Sequence, residues 1–101
     1  MPISNATLTL GISNVFVSPL STVVGTMYFC NYGAAAANLN VWLLSSGNSV
    51  ASTSTLIYRE VQIAAADTFV IDREKLVLNP GDQIQANAGG SVTATINYTP
   101  V

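Results

Sequence analysis

Gln83-Ile84-Gln85-Ala86-Asn87-Ala88-Gly89-Gly90-Ser91-Val92-Thr93-Ala94-Thr95-Ile96-Asn97-Tyr98-Thr99 is the stretch that decides the fold. Ile84, Ala86 and Ala88 alternate with Gln83, Gln85 and Asn87. Val92, Ala94, Ile96 and Tyr98 then alternate with Thr93, Thr95, Asn97 and Thr99. A period of two belongs to a strand with one buried and one solvated face. Gly89-Gly90 suits the positive φ angles of a tight turn, so the expectation is a hairpin with this pair at its tip.

Upstream, Leu78-Asn79-Pro80-Gly81-Asp82 reads as a type II turn: Pro80 presets φ and Gly81 accepts a positive φ. It separates strands at Phe69–Ile71 and Leu76–Leu78 from the strand at Gln83–Ala88. Earlier strands are expected at Ala6–Leu10, Val23–Tyr32, Asn38–Leu44 and Thr55–Ile63, with Asn14–Val17 a short edge strand ended by Pro19. The Ser-rich segment Ser45–Ser54, holding Gly47-Asn48, reads as a loop. Ala34–Ala37 are helix formers, but Gly33 precedes them and Asn38 and Asn40 interrupt the pattern, which leaves a turn followed by a strand. The fold expected is all-β: a single-domain β-sandwich, jelly-roll or Ig-like, of seven to eight short, mainly antiparallel strands. The domain spans residues 1–101, with 1–20 an extended arm or edge strand.

The three basic and five acidic residues all lie between Arg59 and Asp82, and the chain has no histidine. Charged residues make up 8% of the chain, where ordinary domains hold about a quarter. Desolvating charge is costly, so protein–protein contacts are depleted of it. This composition suits a surface covered by neighbours. Arg59, Arg73 and Lys75 are interleaved with acids, and the net charge is −2. Neither a nucleic-acid partner nor a membrane partner is expected. Met-Pro-Ile-Ser-Asn shows no basic n-region or apolar h-region, so no signal peptide is expected. The sequons at Asn5-Ala6-Thr7 and Asn97-Tyr98-Thr99 are then chance matches.

Without histidine, Ser/His/Asp and Cys/His nucleophile systems are excluded, and the expectation is a non-enzyme without cofactor or metal. Cys30, the single cysteine, follows Met27-Tyr28-Phe29 and reads as a buried structural thiol. Asp67, Asp72, Glu74 and Asp82 lack the spacing of a calcium loop and read instead as a solvated charged rim with local pairs, such as Arg59 and Glu60 near Asp72–Lys75.

Large apolar residues on the wrong face carry more information. In Asn38–Leu44, alternation assigns Leu39, Val41 and Leu43 to the core, and puts Trp42 and Leu44 with Asn38 and Asn40. In Val23–Tyr32 it groups Val23, Met27 and Phe29 against Val24, Tyr28, Cys30 and Tyr32. Such residues are either satellite core under loops or anchors at a subunit contact. The contact residues expected are Trp42, Leu44, Tyr28 and Phe16.

The run Val41-Trp42-Leu43-Leu44-Ser45-Ser46-Gly47, the strand ending near Ile63, the segment Leu76–Ala86 with its Pro-Gly-Asp turn, and Val92–Ile96 together resemble small β-sandwich virion proteins of tailed bacteriophages. The resemblance spans Thr22 to Tyr98. It implies a head decoration (cement) protein that self-associates on a capsid lattice, or else a tail, neck or baseplate component. It also implies identical subunits and a larger capsid or tail protein as partners, and location in the virion after synthesis in the host cytoplasm. The competing reading is a carbohydrate-binding or adhesive module with Trp42, Tyr28 or Tyr58 stacking on sugar rings.

Overall fold

The computed structural model describes residues 3–47, 51–52, 55–72 and 75–100. Among these there are nine strands and no helix: β1 (Ile3–Thr7), β2 (Ser13–Val17), β3 (Thr22–Asn31), β4 (Ala37–Leu44), β5 (Leu56–Ile63), β6 (Thr68–Ile71), β7 (Leu76–Leu78), β8 (Gln83–Ala88) and β9 (Val92–Pro100). They form two antiparallel sheets. One runs β1-β9-β3-β6, with β7 also paired to β3; the other runs β2-β8-β4-β5. The pairings nest: β1 with β9, β2 with β8, β3 with β6 and β7, β4 with β5. That is one long hairpin rolled into two layers, the jelly-roll alternative of the expected sandwich.

The core lies between the layers. Met27, Phe29, Ala94 and Ile96 come from the first sheet, and Leu39, Val41, Ile84 and Ala86 from the second, all essentially inaccessible. Burying a large side chain of this kind contributes roughly 1.5–3 kcal/mol. The radius of gyration, 12.8 Å, fits a single domain of this length, for which about 13 Å is usual.

Several expectations are corrected. β8 and β9 lie in different sheets, so Gly89-Gly90 is not a hairpin tip but a crossing between layers. Neither glycine has a positive φ; Gly90 serves close approach, since a Cβ there would stand 2.7 Å from the Ala37 Cβ. The first strand is Ile3–Thr7 rather than Ala6–Leu10, and β1 and β2 both lie at sheet edges. β3 does not alternate throughout. Its register against β9 shifts at Gly25, which returns Val24 to the face of Met27 and Phe29. Cys30 is half-buried on the outer face, not a core thiol.

Other expectations hold. Gly81 has φ +89, and the Asp82 amide donates to the Asn79 carbonyl at 3.0 Å, closing the Pro-Gly turn. Ala37–Leu44 is a strand after a turn. The segment Ser45–Ser54 connects β4 to β5, with residues 48–50, 53 and 54 outside the described residues.

Candidate functional site

The outer face of the β1-β9-β3-β6/β7 sheet is built wholly from uncharged strand residues. Cross-strand register sets its rows. Tyr28 stands between Thr95 and Val70, Cys30 between Thr93 and Thr68, and Val23 between Thr99 and Val77. Beyond Thr95 the first row continues to Asn5, whose Oδ1 accepts from Thr95 Oγ1 at 3.0 Å. Tyr28, Val70 and Val77 are all exposed. Threonines with a central tyrosine and flanking valines make a β-branched surface that costs little to desolvate. Lys75 borders it, with Nζ donating to the Gly25 carbonyl at 3.0 Å and the Asp72 carbonyl at 3.2 Å. Its ammonium therefore closes the carbonyl left free by the β3 bulge.

The outer face of the β2-β8-β4-β5 sheet is different, because its amides are paired to one another. Gln85 Nε2 donates to Asn14 Oδ1 at 2.8 Å and to Gln83 Oε1 at 2.9 Å. Asn40 Nδ2 donates to Asn87 Oδ1 at 2.9 Å, Asn40 Oδ1 accepts from the Glu60 amide at 2.8 Å, and Asn87 Nδ2 donates to the Leu10 carbonyl at 3.1 Å. Trp42 is half-buried here, in a cleft of about 360 Å³ that it shares with Ile12, Leu56 and Arg59. Trp42 lies well before the charged window in the sequence, but the β4–β5 pairing brings Arg59 to it. A second cleft, of about 380 Å³, opens between β5 and the β6/β7 edge and is lined by Met27, Ile57, Tyr58, Ile71 and Leu76.

The four expected contact residues are not brought together. Tyr28 is 41% exposed on one outer face, and Trp42 lies on the opposite one. Phe16 is only 6% exposed and packs on Tyr98, with ring centroids 4.6 Å apart. A register shift between Asn14 and Phe16 turns it into the core. Leu44 has no accessible surface. It sits opposite Gln83, on the Trp42 side as alternation requires, at the strand end where the connection returns and the Leu43 amide donates to the Thr55 carbonyl at 2.9 Å. In the single chain Leu44 and Phe16 therefore offer almost no surface to a neighbour. Tyr58 is half-buried, edge-on to Phe69 with ring centroids 5.7 Å apart.

The Asp82 carboxylate serves structure. Asp82 accepts from the Ser46 amide through Oδ1 at 2.7 Å and from the Asn79 amide through Oδ2 at 2.8 Å. Among the described residues no three His, Cys, Asp or Glu side chains converge on a metal-sized site, and Glu74 lies outside them. No protein-family model, curated protein or solved structure matches the chain.

Proposed function

We propose that this protein is a non-enzymatic structural subunit that associates with its own kind and decorates or cements a larger lattice. A phage capsid is the setting that the resemblance implies. The supporting observation is where the charge goes. Arg59 and Glu60 lie in β5, and Asp67, Asp72, Lys75 and Asp82 lie in the connections around β6 and β7. Among the described residues, Arg59, Glu60, Asp67, Asp72 and Lys75 thus lie along the β5 and β6/β7 edges, while Asp82 lies beside the end of β2, its carbonyl accepting from the Ser18 amide at 2.9 Å. β1, β2 and the strand residues of the Tyr28 face carry no charge, with Lys75 only at the border of that face, so cover there desolvates little charge. Jelly rolls serve in both capsids and lectins, so the fold is compatible with this reading without selecting it.

The Trp42 cleft favours a second reading, a carbohydrate-binding module, since it sets an indole beside Arg59. Against it, the Asn40 and Asn87 carboxamides that line the cleft already bond to protein groups. A native mass measurement across a concentration series, paired with a glycan array, separates the two. The assembly reading expects species heavier than the monomer and an empty array. A monomer at every concentration that binds glycans contradicts it.

A further inference from the structure

Four edges bound the two sheets: β1 and the β6/β7 pair in one, β2 and β5 in the other. Three of them are irregular. β6 and β7 are separate strands along β3. β5 carries two register shifts against β4, with Glu60 at φ 50. β2 carries a shift against β8. Breaks, bulges and charges are the devices by which sheet edges avoid pairing with other chains. β1 has none of them: from Ile3 to Thr7 it pairs residue for residue with β9, without a shift, a charge or a proline.

The ladder also shows which backbone groups of β1 are free. The Leu8 amide donates to the Val92 carbonyl at 2.9 Å, one step beyond the Thr7–Thr93 pair. In an antiparallel ladder, hydrogen-bonded pairs alternate with non-bonded ones. Residues 8, 6 and 4 therefore bond to β9, while the amides and carbonyls of Ile3, Asn5 and Thr7 point outward. The Asn5–Thr95 side-chain bond fits this phase, since non-bonded pairs bring side chains closer.

We propose that β1 is the self-association edge of this protein, pairing antiparallel with β1 of a second copy about a two-fold axis at Asn5. This rests on the assembly reading and adds the surface that performs it. Asn5 faces Asn5 of the second copy, and Ile3 faces Thr7 of the second copy at both ends. All three pairs are of the hydrogen-bonded kind, each exchanging two bonds. An isologous contact needs a self-complementary patch, and a charge-free edge whose outward groups are centred on one residue is self-complementary. Ile3, 62% exposed in the single chain, gains a β-branched cross-strand neighbour. Five residues of edge make a contact well under the roughly 1,600 Å² of a standard interface, so the pair exchanges with monomer as concentration falls.

Sedimentation of Asn5→Lys, Asn5→Asp and their equimolar mixture, with circular dichroism to confirm folding, tests this. The wild type is expected to dimerise with concentration. Each variant alone is expected to sediment as monomer, because like charges meet on the axis, and the mixture is expected to recover a dimer containing one of each. Variants that associate as the wild type does overturn the β1 contact and leave the assembly reading standing. Single variants and a mixture that all stay monomeric overturn the two-fold register at Asn5. A wild type that is monomeric throughout overturns the assembly reading together with this edge.

Discussion

The Asn31 carboxamide, fully buried at one end of the sandwich, ties together segments distant in the chain. Its Nδ2 donates to the Ala35 carbonyl at 2.8 Å and to the Ile63 carbonyl at 3.0 Å, and its Oδ1 accepts from the Gly33 amide at 3.0 Å. It thereby holds the β3–β4 connection against the end of β5. Net hydrogen bonds are worth about 1 kcal/mol each, and stranded buried partners cost more. Asn31→Ala should therefore lose on the order of 3 kcal/mol. Asn31→Asp should lose more, since a carboxylate cannot donate to two carbonyls and its charge would be buried. Denaturant midpoints measure both, and equal midpoints for Asn31→Ala and wild type contradict this role. Asn-x-Gly is a signal for such a side-chain turn, but in a chain this rich in Asn nothing local distinguishes Asn31 from Asn14 or Asn38.

Strand β9 could be read residue by residue from the sequence, because its alternation runs unbroken from Val92 to Tyr98. Strand β3 could not. The shift at Gly25 reverses which residues face the core, and the bulge is held by a long-range partner, Lys75. Alternation also says which face of a strand is buried, but not which strand lies beside it. β8 and β9 thus looked like partners while belonging to opposite layers. The same limit applies to the contact residues: the exposure of Tyr28 follows from its place in β3, whereas a register shift turns Phe16 into the core and Leu44 is buried although alternation puts it on the Trp42 side. The Gly89–Ser91 crossing gives its own prediction. Gly90→Ala drives a methyl into Ala37, and overpacking of this kind costs about 1–3 kcal/mol. Gly89→Ala, whose Cβ would have only the Leu10 side chain within 4 Å, at 3.9 Å, is the tolerated control. Thermal denaturation of the two variants compares them, and equal losses would show that close approach at Gly90 is not the constraint.

Across the molecule, the charge-poor composition becomes an asymmetric body. One side carries ions along the irregular β5 and β6/β7 edges, and the other presents the regular β1 edge, with the bulged β2 edge in the opposite sheet, beside a neutral, threonine-rich face. The uneven spread of charge was plain in the sequence; that it maps onto edges appears only once the chain is rolled. On the proposed association, the neutral side is covered by another copy of the chain. Amide hydrogen exchange at residue resolution, at low and high protein concentration, tests this at the edge itself. In the monomer, Ser4 and Ala6 should be protected by β9 while Asn5 and Thr7, pointing outward, exchange fast. Asn5 and Thr7 are expected to become protected as concentration rises, in step with the increase in mass. Assembled protein in which Asn5 and Thr7 still exchange at the monomer rate would contradict it.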